Sequence, residues 1–199
     1  MRLTLADYGV GNLHSIRKAL ELAGAEVEVV TDMNALLDAR GIVFPGVGAF
    51  DATMARLLPV RTRVRDRLAA GVPALGVCIG EQIMFEGSAE GADPGLGVFP
   101  GRVERLPVRM LPHMGWNTVE TADPLFEGLT DRHFYFAHSY CGRPTDGSIV
   151  RGTTQYEDCR FPSLFRRYNT YGFQFHPEKS GDEGLTVLRH FVAFAEEQQ

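Results

Sequence analysis

The chain has 199 residues, of which 20 are Lys or Arg and 25 are Asp or Glu, for a formal net charge of -5. That length suits one domain with a sizeable core, and the acidic balance argues against nucleic acid or an anionic membrane as a partner. No apolar run approaches the roughly 20 residues of a spanning helix and no signal-peptide pattern opens the chain, while the scattered cysteines Cys78, Cys141 and Cys159 read as a reduced, cytoplasmic protein with no Cys-x-x-Cys metal site.

Leu3–Ala6 is a short buried-strand candidate that runs into Asp7-Tyr8-Gly9-Val10-Gly11-Asn12. A helix is expected from Leu13 to Ala23, with Leu13, Ile16, Leu20 and Ala23 on one stripe and Gly24 as its stop. Glu26–Val30 gives a second strand, Asn34–Asp38 a brief helix, and Gly41–Phe44 a third strand that delivers Pro45-Gly46-Val47-Gly48-Ala49-Phe50. Helices follow over Asp51–Leu58 and Val60–Ala70, then an almost wholly apolar strand over Pro73–Val77. This alternation predicts an α/β fold, a central and mostly parallel sheet covered by helices on both faces.

Beyond Gly87 the texture changes. A strand is expected over Val98–Leu106, interrupted at Pro100-Gly101, and Met114–Asn117 reads as a compact segment between loops. Phe134–Tyr140, Ile149–Thr154, Phe161–Arg167 and Tyr171–Phe175 look like strands with short turns, so this half adds antiparallel hairpins. A last helix over Asp182–Glu196 carries Leu185, Leu188 and Val192 on one face. No repeat, linker or low-complexity run divides the chain, so a single domain over residues 1–199 is expected.

The chemistry centres on Gly71–Gln82. The Pro73–Val77 strand stops at Cys78-Ile79-Gly80, and a helical pattern with Ile83, Met84 and Phe85 follows at once. A thiol between a buried strand and a helix N-terminus is placed to favour thiolate, in the strained turn called a nucleophile elbow. A nucleophilic thiolate needs a base, and an imidazole needs an orienting partner. His176 follows the aromatic strand at its C-terminal end, where open α/β sheets place their chemistry, and Pro177 and Glu178 come next. In an extended stretch residues two apart face one side, so Glu178 can hold one ring nitrogen while the other faces Cys78. Spacing alone does not separate this triad from an unrelated cysteine and histidine. Likewise, Gly46–Gly48 alone reads as an ordinary strand-to-helix turn and Asn12 as a helix cap.

Longer segments are more specific. Gly76-Val77-Cys78-Ile79-Gly80-Glu81-Gln82 and Gln174-Phe175-His176-Pro177-Glu178-Lys179-Ser180-Gly181 resemble the class I glutamine amidotransferases, the Cys-His-Glu glutaminases. Asp7–Leu13, Pro45–Phe50, Pro112–Asn117 and His138-Ser139-Tyr140 look like the glutaminase subunits of imidazole glycerol phosphate synthases, a likeness that runs over essentially the whole chain.

The resemblance implies that Cys78 attacks the side-chain amide of glutamine, that His176 shuttles the protons and that Glu178 orients His176. It implies an oxyanion hole from the backbone N–H of Ile79 and of the Val47-Gly48 segment, whose flanking glycine allows an unusual peptide orientation. Gln82 looks like the substrate-binding glutamine. Asn12, Trp116, Tyr140 and Lys179 fall in segments that such subunits turn towards their partner, a cyclase barrel that takes the ammonia to make imidazole glycerol phosphate and the aminoimidazole carboxamide ribotide. No cofactor or metal is implied. His113, His133 and His190 read as structural or surface residues. Position 81 departs from the pattern: Glu81 stands where relatives usually carry an apolar residue, and its charge would oppose a thiolate if it pointed inward. A vitamin B6 synthase glutaminase and a cysteine peptidase of similar fold fit the motifs less well. A catalytically silent binding subunit is the reading that Glu81 alone favours.

Overall fold

The computed structural model describes residues 1–9 and 13–198. In chain order the elements are β1 (Arg2–Ala6), α1 (Leu13–Leu22), β2 (Glu26–Val30), β3 (Ile42–Phe44), α2 (Phe50–Leu57), α3 (Arg61–Ala69), β4 (Ala74–Val77) and α4 (Ile79–Gln82). Then come β5 (Gly87–Ser88), β6 (Gly101–Arg105), β7 (His113–Thr118), β8 (Glu120–Thr121), β9 (His133–His138), β10 (Tyr140–Pro144), β11 (Val150–Tyr156), β12 (Cys159–Arg167), β13 (Thr170–Phe173) and α5 (Gly181–Glu197).

The main sheet has eight strands in the order β2-β1-β3-β4-β13-β12-β11-β8. From β2 to β13 neighbours run parallel; β12, β11 and β8 continue it antiparallel. The predicted α/β sheet with antiparallel additions is therefore observed, and the additions extend the same sheet at one edge. The side-chain period of two splits β1 between two cores. Leu3 and Leu5 join Ile16 and Leu20 of α1 and Val187, Leu188 and Phe191 of α5. Ala6 joins Met54 and Leu57 of α2 and Val64 and Leu68 of α3 on the opposite face. Every residue of β4 is buried, as a central parallel strand requires. Among the described residues no helix is long and apolar enough to cross a membrane.

Several expected elements change shape. Met114–Asn117 lies within a strand, β7, paired antiparallel with β9 in a separate two-stranded ribbon. The expected Phe134–Tyr140 strand is two: β9 ends at His138, and Tyr140 opens β10, which pairs with β6. The β6 strand begins only at Gly101, after the Pro100 break. The Asn34–Asp38 turn is a 3-10 helix over Met33–Leu37, capped by the Asp32 carboxylate on the Asn34 N–H.

The helix expected after Cys78 is one turn only. Its further growth is blocked because the carbonyls of Ile83, Met84 and Phe85 accept from Leu96, Phe99 and Gly97 at 2.7, 2.9 and 3.0 Å instead of from a following turn. The 83–85 apolar run is helical in pattern but is spent on packing: all three side chains are fully buried.

Candidate active site

Cys78 follows β4 at φ 50°, ψ −108°, a left-handed backbone that non-glycine residues adopt under strain and that functional turns retain. Its N–H donates to Phe173 O at 2.6 Å, which ties the elbow to β13, and its carbonyl accepts from Glu81 and Gln82 at 3.0 Å each. The turn closes only because two neighbours lack Cβ atoms. A Cβ on Gly80 would stand 2.0 Å from Phe44 O, and one on Gly76 would stand 2.4 Å from Gly80 O. With a single turn behind it, the thiol faces the orphan N–H groups of a helix start rather than the dipole of a long helix.

His176 arrives by a route slightly different from the extended one expected. Strand β13 ends at Phe173, Gln174 N–H donates to Ser163 O at 3.0 Å, and His176 N–H donates to Tyr135 O at 2.8 Å. A 3-10 turn over Pro177–Lys179 then folds Glu178 back, so Nδ1 of His176 lies 2.8 Å from Glu178 Oε1. A carboxylate only accepts, so Nδ1 carries the proton and Nε2 turns to Cys78. Ser180 locks the corner: its hydroxyl donates to His176 O at 2.6 Å and accepts from Tyr135 N–H at 3.0 Å. Burial alone would lower the His176 pKa, but the charge and hydrogen bond of Cys78, with Glu178 behind, push it up to about 10. The pair is thus arranged to exist as imidazolium beside sulfur.

A cavity of about 290 Å³ opens over the sulfur, lined by Gly46, Val47, Gly48, Cys78, Ile79, Gln82, His138, Tyr140, His176 and Lys179 among others. That volume is at the small end of ligand pockets, roughly 300 Å³, and holds one amino acid rather than a peptide. The expected oxyanion residues Val47, Gly48 and Ile79 all line it, as does Gln82. Ile79 is the first helical residue, whose N–H has no acceptor within its own helix. Gly48 has φ 138°, a backbone closed to most side chains. Of the expected interface residues, Tyr140 and Lys179 are at the cavity and Trp116 stands outside it, 58% exposed and edge-on to Tyr135. Asn12 lies outside the described residues.

Behind the cavity lining, Gln82 meets a buried polar residue that the sequence reading gave no role, Gln174. Gln82 Nε2 donates to Tyr140 O at 3.0 Å and to Gln174 Oε1 at 3.1 Å, and Gln174 Nε2 lies 3.7 Å from Cys78 Sγ. Gln174 interrupts an aromatic run on a buried strand end, and that mismatch was the available signal. Glu90 also lines the cavity and caps α2 by accepting from Phe50 N–H at 3.0 Å. His133 sits exposed on Asp131, and His190 faces Leu125 O at 2.9 Å, both as expected of structural or surface residues. His113 is buried against His138.

Glu81 points inward and is completely buried, wedged against Gly142, Gly172, Phe85 and Phe99. Neither carboxyl oxygen has a hydrogen-bond partner among the described residues. Burial, reinforced by the charge of Cys78, holds its pKa well above the usual carboxylate range. Burial without a partner thus favours the protonated carboxyl over the charged form that would have opposed a thiolate.

Comparison with known proteins identifies the family. A family model described as glutamine amidotransferase class-I matches residues 4–194. The chain is 44% identical over 98% of its length, and 93% of theirs, to the imidazole glycerol phosphate synthase subunit HisH of a Synechococcus strain. It is 47% identical to the subunit of the same name from Corynebacterium diphtheriae, over 96% of this chain and 98% of that one. A crystal structure of a glutamine amidotransferase shares the fold at a TM-score of 0.76 with 23% identity, covering 97% and 98% of the two chains.

Proposed function

This chain belongs to the class I glutamine amidotransferases, and from that premise we propose how its residues divide the labour of a glutaminase that feeds ammonia to imidazole glycerol phosphate synthesis. The Cys78 thiolate attacks the side-chain amide carbon of glutamine, and the oxygen takes up negative charge as the tetrahedral adduct forms. The N–H groups of Ile79 and of Val47 or Gly48 receive that charge. His176 Nε2–H protonates the departing nitrogen, ammonia leaves and a glutamyl thioester remains. The now neutral His176 takes a proton from water, hydroxide adds to the thioester and collapse releases glutamate and the Cys78 thiolate. Glu178 keeps the proton on Nδ1 throughout. The 2.8 Å bond from His176 to Glu178, with Nε2 aimed at a sulfur that opens into a cavity of amino-acid size, is the observation that carries this reading.

The chain acts as one amidotransferase domain in a reducing, cytoplasmic setting, in keeping with its three free cysteines. Ammonia escapes if released to water, so the product goes to a partner, the cyclase subunit of the synthase. The cavity rim supports where that partner docks: Met114 and Trp116 stand 64% and 58% exposed on β7, and the Lys179 ammonium lies 5.6 Å above the Tyr135 ring beside them. Exposed large apolar side chains in a polar rim mark an interaction surface. Docking there, together with Asn12, sets the Gly46–Gly48 loop and completes the oxyanion hole. The test is glutamine hydrolysis by the purified chain alone, then with a cyclase subunit and its nucleotide ligand. Strong stimulation that vanishes in Cys78→Ala supports the reading; tight complex formation with no hydrolysis overturns it in favour of a silent subunit.

A further inference from the structure

Resting on the glutaminase reading above, we propose that His113 is a positioning residue of the glutamine site, acting through His138 to hold the Tyr140 carbonyl and the Gln82 amide against the nucleophile. His113 Nδ1 and His138 Nε2 are 2.9 Å apart, and His138 Nδ1 is 2.8 Å from Tyr140 O. At the other end, Asn117 Nδ2 lies 3.2 Å from His113 Nε2 and donates to Gln155 O at 2.9 Å.

The sense of every bond is dictated by the chain ends. Thr118 N–H donates to Asn117 Oδ1 at 2.8 Å, which fixes the amide so that Nδ2 faces His113. His113 Nε2 must then accept, and its proton sits on Nδ1. Tyr140 O can only accept, so His138 carries its proton on Nδ1 and offers a bare Nε2 to His113. All four ring nitrogens are satisfied by neutral rings of one tautomer. A proton added to either ring would set N–H against N–H or leave the row without an acceptor. Burial lowers the His113 pKa to about 4, and burial, with the neighbouring His113 and His176, leaves that of His138 at about 3. The row therefore keeps its direction throughout the neutral range.

What distinguishes this row from a satisfied core pair is where it ends. Tyr140 O accepts a second bond from Gln82 Nε2, whose other hydrogen reaches Gln174 Oε1, and Gln174 Nε2 lies at Cys78 Sγ. The row from β7 and the Gln82 amide thus converge as donors on the one Tyr140 carbonyl, which joins the two. The same strand faces two ways, because alternate residues oppose each other. His113 is buried, while Met114 and Trp116 stand outward at the proposed docking surface. Pressure on the outer side of β7 is felt by the row within, which connects the docking surface to the glutamine site.

Two measurements test this. In the complex with the cyclase subunit, His113→Leu is expected to raise KM for glutamine about tenfold with a smaller change in kcat, and His113→Asn, which restores a donor at the Nδ1 position, to stay within about threefold of wild type. Equal losses in both variants, or an unchanged KM in His113→Leu, would overturn the proposal. Independently of turnover, histidine nitrogen NMR of Cys78→Ala should find both rings neutral and protonated at Nδ1 down to about pH 5. An Nε2–H ring, or titration near 6.5, would also overturn it. Should wild-type protein hydrolyse no glutamine at all, the glutaminase reading fails while the NMR still decides the row.

Discussion

Glu81 and Gln82 are adjacent on one helical turn and meet opposite surroundings. Gln82 faces the cavity, where its amide hydrogens reach Tyr140 O and Gln174 Oε1. Glu81 faces the apolar packing of Phe85 and Phe99 behind the elbow, where neither oxygen finds a partner. Both side chains are nearly inaccessible to water, so burial does not distinguish them; satisfaction does. A buried polar group that keeps its hydrogen bonds is close to neutral in free energy, whereas an orphaned one costs its desolvation. The side of the turn that faces the cavity is satisfied, and the opposite side carries the cost of an unmatched acid.

The sharpest break of that comparison lies at the sulfur between the two sides. Cys78→Ala should lower glutamine hydrolysis by about 10³-fold or more in a steady-state assay. It should also remove the charge that sustains the imidazolium, so that His176, seen by NMR titration, falls from about 10 towards the low value burial favours. The linkage follows from the raised pKa. In the wild type the ion pair contributes stability that is complete below the unfolded histidine value, about 6.5, and is lost as pH rises towards about 10. Cys78→Ala should lack that stretch of the stability profile.

Next come two substitutions that ought to differ in sign. Gln174→Leu leaves one hydrogen of the Gln82 amide without its acceptor and should destabilise the protein by about 1–3 kcal/mol in urea unfolding. Glu81→Met removes an orphaned acid from an apolar site and should stabilise it by a similar ~1–3 kcal/mol, with hydrolysis retained. Equal signs would dissolve the contrast. The advantage of Glu81→Met also has a pH signature. A carboxyl whose folded pKa is raised binds its proton more tightly when folded, so the wild type loses stability as pH rises above the unfolded value, about 4.3. The gap between the two proteins should therefore be small near the unfolded value and widen as pH rises above it. The smallest effect is expected at the surface: Trp116→Ala should weaken cyclase binding by about 2 kcal/mol in a titration while leaving the unfolding midpoint unmoved.

The parts of this arrangement that could be read in the sequence are those set by local rules. Apolar runs such as Gly41–Phe44 and Pro73–Val77 announced the parallel core, and the approach of His176 to Cys78 could be anticipated because Cys78 directly follows β4 and His176 lies three residues beyond its parallel neighbour β13. The truncated α4 was not legible, since what stops it is the distant 96–99 backbone taking the carbonyls of Ile83–Phe85. Strand β7 was hidden because Met114 and Trp116 are exposed apolar residues, the reverse of what alternation reports in a half-buried strand. Strand β10 was hidden by Gly142 and Pro144, which read as a turn. The direction of Glu81 could not be read at all. Its burial depends on Gly142 and Gly172 leaving room for its side chain, and both come from strands far along the chain.

The most direct test of the account is to quench the complex in acid during turnover of glutamine and map its cysteine peptides by mass spectrometry. A glutamyl adduct confined to the Cys78 peptide, absent from Cys78→Ala, is the predicted result. Hydrolysis that proceeds without an adduct, or an adduct on Cys141 or Cys159, would contradict it.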